Sequence, residues 1–353
     1  MLEKCLKTNN EIWNCFTGKE EYSPRELDQH GRFVSSGYES NHILEPIVSK
    51  YLSENGFSVE YPENKKFAVC LSHDIDDIYP TLLHTTLSSI YCLKNFNFRG
   101  LNKHLLWRVD GKKKSPFINF EEIMTLEEQY GAKSSFYFMA TDKDPNRFRY
   151  DIEDVSSELK SITDKGWEVG LHVGYYSYNS LETILKEKRT LESALGSKII
   201  GCRNHYLRFK TPDTWELLSK AGFHYDTTFG YANRIGFRNG MCHPFRPYNL
   251  NTGKEINILE IPLIVMDGAL LLHFTKSFSE AWALIKDLVD TVERYNGVMT
   301  FLWHNNSLNW PYRSNWEKLY KKILDYCYNK NAWMTNGEEI YRWWVNEYQN
   351  SSN

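Results

Sequence analysis

The chain has 353 residues, enough for one large α/β barrel with additions. Apolar residues make up 41% of the chain, charged residues 25%, and the formal net charge is −3. This composition is typical of an ordinary globular protein, and it lacks the basic excess that nucleic-acid binding usually requires.

The cysteines and the apolar segments give an expectation about the compartment. Seven cysteines are scattered along the chain without a Cys-x-x-Cys pair, which favours free thiols in a reducing environment. The start, MLEKCLKTNNEIW, has no apolar run after its lysines, so we expect no signal peptide. The most apolar window, residues 258–274, is interrupted by Glu260, Pro262 and Asp267, so we expect no transmembrane segment. These features predict a cytoplasmic protein.

The elements divide the chain into two parts. Residues 1–65 have one clear helical stripe around Ile47, and we interpret them as an N-terminal extension. In residues 66–353, short apolar runs alternate with helical segments, such as the stripe that begins at Leu181 and stops at Gly196. The predicted strands are residues 67–72, 133–139, 167–172, 198–202, the region of 223–225, 256–262, 297–303 and 332–335. This alternation predicts a mostly parallel sheet, closed or doubly wound, with its chemistry at the carboxyl ends of the strands.

The first predicted strand runs directly into a cluster of carboxylates, in residues 71–77 (LSHDIDD). Strand alternation places Asp74 and Asp76 on one side and His73 on the other. Two nearby carboxylates can divide the work of hydrolysis, because one can ligate a cation while the other takes a proton from water. The same residues could instead be a surface cluster, or the N-terminal cap of a helix near Thr81.

Polar side chains also follow four other predicted strands. They are His172, Arg203, His205, Asp226 and His304. Taken singly, each histidine is more simply explained as a hydrogen-bonded structural residue. Independent structural histidines would not be expected to collect at one end of one barrel, so we expect these side chains to share a site.

The order and context of these motifs resemble the polysaccharide deacetylases, the NodB-homology domain of carbohydrate esterase family 4. The resemblance spans residues 67–334 and implies a distorted (β/α) barrel, here with an N-terminal extension. Some motif variants are similar to those of a subgroup associated with bacterial surface-polysaccharide biosynthesis. The motifs are SHDIDD (72–77), GLHVGYYSY (170–178), GCRNHYLRF (201–209), YDTTFG (225–230) and FLWHNNS (301–307).

The resemblance implies a role for the first three motifs. Asp74 matches the catalytic base, while Asp76 and His172 match metal ligands. Arg203 matches the residue that orients the base, and the backbone near Tyr206 would help to bind the oxyanion.

The last two motifs would supply the acid. His304 matches the catalytic acid, and Asp226 would pair with it. A carboxylate at the other imidazole nitrogen raises the pKa of a histidine and so keeps it protonated for transfer to the leaving amine.

The second motif departs from the family pattern. The family usually has a second histidine four residues after the first, and this chain has Tyr176 there, which is a poor zinc ligand. Tyr176 is therefore a candidate for substrate binding. We expect His205 to supply the missing ligand, because it lies just past a barrel strand, two residues after Arg203. The alternative is that His205 packs in its loop or contacts substrate.

Together these features predict a metal-dependent hydrolase with Zn²⁺ as the expected cation. Its reaction would remove an N-acyl group, with acetyl expected, from an amino sugar in a glycan or in a nucleotide- or lipid-linked precursor. Two alternatives stay open: a catalytically silent sugar-binding relative, and an O-acyl esterase or deformylase on the same site. Arg32, Arg208, Arg234 and Arg238 could hold a phosphate of the substrate, or could be surface ion-pair residues.

Overall fold

The computed structural model describes residues 2–24, 26–34, 43–143, 149–273, 277–313 and 315–349. The strands are β1 (Ala68–Ile75), β2 (Ser135–Phe138), β3 (Glu168–Val173), β4 (Gly201–Asn204), β5 (Tyr225–Asp226), β6 (Tyr248–Asn249), β7 (Lys254–Glu255), β8 (Leu259–Glu260), β9 (Val265–Met266), β10 (Val298–Leu302) and β11 (Trp333–Thr335). The helices are α1 (Leu2–Leu6), α2 (Asn10–Thr17), α3 (Ile47–Glu54), α4 (Leu82–Lys94), α5 (Phe98–Asp110), α6 (Phe120–Glu128), α7 (Ser156–Asp164), α8 (Leu181–Leu195), α9 (Asp213–Lys220), α10 (Asp267–His273), α11 (Phe278–Arg294), α12 (Asn315–Asn329) and α13 (Gly337–Trp344).

Nine strands form one curled sheet in which every pairing is parallel. Their order is β8-β5-β4-β3-β2-β1-β10-β9, and β11 also pairs with β1. The strands alternate with helices along the chain, so the predicted distorted (β/α) barrel is confirmed. The strands β6 and β7 form a separate antiparallel pair.

Each predicted strand region contains a strand of this sheet, but β9 was not predicted. It is only two residues long, and four residues separate it from β8. The central strand β1 is buried along its whole length, as expected for a parallel strand covered on both faces. The predicted end of α8 is also confirmed, because Gly196 caps this helix in the left-handed conformation at φ 80°.

Alternation along β1 sends its side chains in two directions. His73 lies on the face away from Asp74, with its Nε2 atom 2.8 Å from Glu127 Oε1. The His73 Nδ1 atom lies 2.7 Å from the carbonyl oxygen of Trp303, and a carbonyl can only accept this hydrogen bond. His73 is therefore a buried structural residue, as alternation predicts.

The N-terminal residues pack against the barrel segment that follows β5. Arg238 donates to both carboxylate oxygens of Glu21 at 2.8 Å, and this ion pair is almost fully buried. The ring of Phe16 meets that of Phe245 edge-on, with their centroids 5.4 Å apart. Arg238 thus anchors the N-terminal segment, so its guanidinium is occupied by Glu21 rather than by a substrate phosphate. The domain boundary near residue 65 stays a prediction.

Two further sequence expectations concern cysteines and membrane spans. All seven cysteines are free, which confirms the expectation of unpaired thiols. None of the helices in the described ranges combines the length and the apolar character that crossing a bilayer requires.

Candidate active site

The carboxyl ends of β1, β3 and β4 meet at one edge of the sheet and bring the predicted polar residues together. Asp74 lies on β1, His172 on β3 and Arg203 on β4, where the last two are register partners. His205 opens a short 3-10 helix directly after β4. His304 follows β10, the neighbour of β1 on its other side.

Asp76, His172 and His205 form a compact group that could hold a metal ion. One ligand atom from each lies within 4.8 Å of the others. Asp76 Oδ1 is 3.1 Å from His172 Nε2 and 3.7 Å from His205 Nε2. Two ligand atoms bound at the usual zinc distances in a tetrahedral site are about 3.4 Å apart, so this spacing fits a shared ion.

The hydrogen bonding of this group also fits a cation. Asp76 Oδ1 and His205 Nδ1 are buried without a hydrogen-bond partner. His172 Nδ1 lies 3.0 Å from the carbonyl oxygen of Arg203, to which it must donate. When His172 is neutral, this bond leaves a lone pair on the Nε2 atom that faces Asp76, which is the usual arrangement of a metal-ligating histidine.

The electrostatics of the group favour a positive charge between its members. Burial works against ionisation of Asp76, but His205 and His172 outweigh it and hold its pKa well below the usual value. Burial lowers the pKa of His205 and so favours the neutral imidazole, the form that ligates metals. At His172, burial is outweighed by the carboxylates of Asp74 and Asp76, which raise its pKa. These carboxylates would attract a proton or a metal ion alike.

Asp74 and Arg203 form a buried ion pair beside this group. Arg203 Nη1 donates to Asp74 Oδ1 at 2.9 Å, and Asp74 Oδ2 is 3.6 Å from His172 Nε2. The guanidinium is itself held by the carbonyl and hydroxyl oxygens of Thr227, at 3.0 and 3.1 Å, and by Ser72. Arg203 therefore fixes one oxygen of Asp74 and leaves the other facing the candidate metal group.

His304 is paired with Asp267, a residue that the sequence analysis did not select. His304 Nδ1 lies 2.6 Å from Asp267 Oδ1, and the His304 backbone N–H donates to Asp267 Oδ2 at 3.1 Å. Burial lowers the pKa of His304, but Asp267 and Asp76 outweigh it and raise the pKa to about 10. The Nε2 atom of His304 faces Asp76 Oδ2 at 3.6 Å.

The predicted pairing of Asp226 with His304 is therefore wrong. Asp226 Oδ1 accepts a hydrogen bond from Thr228 Oγ1 at 2.6 Å, and the Asp226 side chain also hydrogen-bonds with the carboxyl group of Glu260. Asp226 is the register partner of Glu260 in the sheet, so two buried carboxyl groups are neighbours. Burial and this proximity raise the pKa of Glu260 well above its usual value. This pair supports the barrel wall and does not hold the acid.

Arg208 and Tyr206 lie at the junction between the barrel and the N-terminal segment. Arg208 donates to the carbonyl oxygens of His30 and Tyr175, at 2.7 and 2.6 Å, so the proposed phosphate contact is not supported. Tyr206 adopts φ 61°, and its carbonyl oxygen accepts a hydrogen bond from Arg32 at 2.8 Å. This carbonyl contact fixes the turn that follows His205.

Two sets of side chains beside these residues could contact a substrate. Tyr176 is 56% exposed and meets the ring of Tyr175 edge-on at 4.9 Å, so it is available on the surface. A small apolar cluster, separate from the main core, lies close to His205, His304 and Asp267 in sequence. Its members are Leu207, Leu263 and Leu302, with Ala232 and Met266 packed against them.

Comparison with known proteins identifies the fold. No family model matches the chain, and no curated protein matches it. Among solved structures, a candidate polysaccharide deacetylase from Pseudomonas aeruginosa PAO1 has a TM-score of 0.54 at 14% identity, covering 92% of this chain and 99% of that one. Another such candidate, from Mycobacterium smegmatis, has a TM-score of 0.54 at 15% identity over 81% and 92% of the two chains. Puue allantoinase has a TM-score of 0.55 at 16% identity over 92% and 98%.

At these identities the similarity shows the fold. The chain has the NodB-type fold that these two candidate polysaccharide deacetylases share.

Proposed function

We propose that this protein is a metal-dependent hydrolase that removes an N-acyl group, with acetyl expected, from an amino sugar in a glycan or glycan precursor. One observation carries the proposal. Asp76, His172 and His205 converge on one point, with Asp74 beside them and His304 facing them. A base, an acid and a candidate ion site brought together at one edge of the sheet are the requirements of metal-assisted amide hydrolysis.

The cation would be held by Asp76, His172 and His205, with Zn²⁺ expected from the mixture of nitrogen and oxygen ligands. A catalytic zinc keeps three protein ligands and one open position. When bound, the ion would polarise the acyl carbonyl and acidify a water molecule.

Asp74 would act as the base. Its Oδ1 atom is held by Arg203, so Oδ2 is the atom that can receive a proton at the metal group. Both residues are buried, and the fixed guanidinium keeps the carboxylate in one orientation. A base that is held in place in this way loses little freedom when it accepts a proton.

His304 would act as the acid. Asp267 holds its Nδ1 atom and, with Asp76, outweighs burial and raises its pKa to about 10, which favours the protonated imidazole at neutral pH. Its Nε2 proton then points toward the metal group, where the amine leaves. An amine is a poor leaving group without protonation, so a well-placed acid favours amide over ester chemistry.

The apolar cluster around Leu207 and Leu302 would contact the acyl methyl group. Leu302 lies two residues before His304 on β10, and Leu207 lies two residues after His205. An apolar surface next to the reacting carbon would favour a short acyl chain over a polar or charged one. The exposed ring of Tyr176 would pack against the sugar, because the C–H face of a sugar suits an aromatic surface.

The proposal is tested by measuring acetate release from N-acetylated amino sugars presented as glycans, nucleotide sugars and lipid-linked sugars. Wild-type protein should release acetate from at least one class, and Asp74→Asn should not, although its side chain has nearly the same shape. Release at equal rates by both proteins would contradict the proposal.

A further inference from the structure

A helical hairpin, residues 82–110, carries most of the large hydrophobic side chains that are exposed in the described part of the chain. It consists of α4 and α5, which follow β1 and precede α6 along the chain. The two helices pack against each other. Among the described residues, fourteen large hydrophobic side chains are exposed, and eleven of them lie in this hairpin. They are Leu82, Leu83, Leu87, Ile90, Tyr91, Leu93, Phe96, Phe98, Leu105, Leu106 and Val109. Exposed apolar surface concentrated on one element marks an interaction site.

Helix α4 has the reverse of the usual amphipathic pattern. Its buried positions are polar or small, namely His84, Thr85, Ser88 and Cys92. Its outward positions are apolar, and Leu82 and Leu83 are 72% and 70% exposed. A helix that faces water normally places its leucines toward the core. The outward face of α4 therefore suits an apolar environment.

The tip of the hairpin extends this surface. Phe96 and Phe98 are 80% and 63% exposed, and Lys94 and Arg99 flank them. Phe96 also adopts a left-handed backbone conformation, φ 53°, which glycine or asparagine would adopt more easily. A phenylalanine in such a position contributes nothing to the folded core, so its ring is available for a contact outside the protein.

The charge of this region is opposite to that of the rest of the protein. Residues 82–114 contain seven lysines and arginines and a single acidic residue, Asp110, in a chain whose net charge is −3. Five of these cations have partners within the protein. Lys103 pairs with Glu122 at 2.6 Å, and Arg108 donates to the carbonyl oxygen of Pro80 at 2.8 Å. After the hairpin, Lys112 and Lys114 lie 3.7 Å from Asp154 and Asp110, and Lys113 donates to Ser157. The other two cations are Lys94 and Arg99 at the tip. The combination of basic and exposed apolar side chains is typical of elements that lie in the interface of an anionic bilayer.

The hairpin is fixed beside the candidate active site. Only three residues lie between Asp77, at the end of the carboxylate cluster, and Thr81, which caps the N-terminus of α4. On the other side, His84 Nδ1 lies 3.2 Å from the hydroxyl of Tyr312, on the segment that follows His304. A surface bound to the hairpin would therefore lie near the mouth of the site.

We propose that the helical hairpin docks the protein on an anionic lipid bilayer, with Phe96 and Phe98 inserted among the lipids and the flanking cations at the headgroups. A second copy of the chain is a poorer occupant, because it would bring together two hairpins that both carry a net positive charge, with Lys94 and Arg99 at the tip of each. Anionic headgroups neutralise this charge, and the acyl region accepts the apolar side chains. Docking does not depend on whether the site is catalytic.

The test is sedimentation of the full-length protein with vesicles of phosphatidylcholine, with and without phosphatidylglycerol. Wild-type protein should bind the anionic vesicles, and added salt should weaken the binding. Phe96→Asn with Phe98→Ser should weaken binding at least about tenfold, because two large apolar side chains no longer leave water. Asparagine suits the left-handed backbone at residue 96, so this variant should fold at least as well as wild type. Lys94→Glu with Arg99→Glu should weaken binding to anionic vesicles by more than about tenfold.

Matched controls distinguish binding through this surface from nonspecific binding to vesicles. Tyr328→Ser removes an aromatic ring from α12 that is 58% exposed, close to the value for Phe98. Lys50→Glu with Lys160→Glu reverses two exposed charges elsewhere. Both controls should bind as wild type does. No binding of wild type to anionic vesicles, or unchanged binding of the tip variant, would overturn the proposal. The proposal would also be overturned if light scattering showed that wild type is a dimer and that the tip variant is a monomer. The apolar face would then bind a second copy of the chain.

Discussion

Replacing Asp267 with asparagine removes one negative charge from beside His304 and keeps the shape of the side chain. Asp267 is buried, and both of its oxygens bind His304, at 2.6 Å to Nδ1 and 3.1 Å to the backbone nitrogen. A hydrogen bond to a charged group contributes about 1.5–3 kcal/mol. Since one pKa unit equals about 1.4 kcal/mol, the pKa of His304 should fall by about 1–2 units in Asp267→Asn.

The sign of the effect follows from the charged form. Burial disfavours the imidazolium of His304, and the carboxylate of Asp267 stabilises it. Without that carboxylate, the acid loses its proton at a lower pH. The alkaline limb of the turnover profile should therefore move down by about 1–2 pH units. Turnover of an amide should fall about tenfold near pH 10, where the variant has lost most of its protonated acid, and should change much less at neutral pH, where His304 stays protonated.

The assay compares pH profiles for an N-acetylated amino sugar and for an activated aryl acetate. The aryl ester needs little protonation of its leaving group, so it should be affected much less. An unchanged alkaline limb, or an equal loss with both substrates, would refute the assignment of His304 as the acid and of Asp267 as the residue that positions it.

Three further predictions concern the metal group and the N-terminal anchor. Asp76→Ala should lose bound metal, whereas Asp74→Asn should keep it and lose turnover by about 10²-fold or more, as measured by elemental analysis and kinetics. His205→Ala should lower the metal content, because only two protein ligands would remain. Arg238→Met should lower the free energy of unfolding in denaturant by about 3 kcal/mol, because it leaves Glu21 buried without its partner.

Each of these predictions has a control. Equal metal loss in Asp74→Asn and Asp76→Ala would contradict their separate roles. His224 is exposed and lies outside the group, so His224→Ala should keep its metal. Unchanged metal in His205→Ala would refute its role as a ligand. Adding Glu21→Gln to Arg238→Met should restore part of the stability, and a further loss would argue against a buried charge as the cause.

Much of the fold could be predicted because parallel strands leave a simple signal. The buried strand β1 is apolar before it reaches its carboxylates, and the stripe of α8 ends at a glycine. The strand β9 is too short for any periodic pattern to appear. The sequence therefore predicted one strand over residues 256–262, where the structure has β8 followed after four residues by β9.

The candidate site could be predicted where residues follow recognisable strands. The convergence of Asp76, His172 and His205 follows from their places at the strand ends. The partner of His304 could not be found in this way, because sequence spacing does not show which carboxylate lies opposite across a barrel. One sequence feature could have pointed to Asp267, because it is a single acidic residue directly after an apolar run.

The outward apolar face of the helical hairpin could not be predicted from the sequence, for a different reason. Leucines and phenylalanines at helical spacing in residues 82–109 look like the buried face of an ordinary helix. Only the structure shows that the polar positions of α4 face inward and its apolar positions face outward. The direction in which a helix faces depends on tertiary packing, which local sequence does not determine.

The central claim is that Asp76, His172 and His205 hold a catalytic metal ion. The most direct measurement is elemental analysis of the purified protein, combined with acetate release before and after chelation and after the ion is restored. We expect about one divalent ion per chain, with zinc as the expected metal. Activity should be lost when the ion is removed by a chelator and regained when the ion is added back. A protein that releases acetate at an unchanged rate without bound metal, or that binds no divalent ion even when it is supplied, would contradict the account.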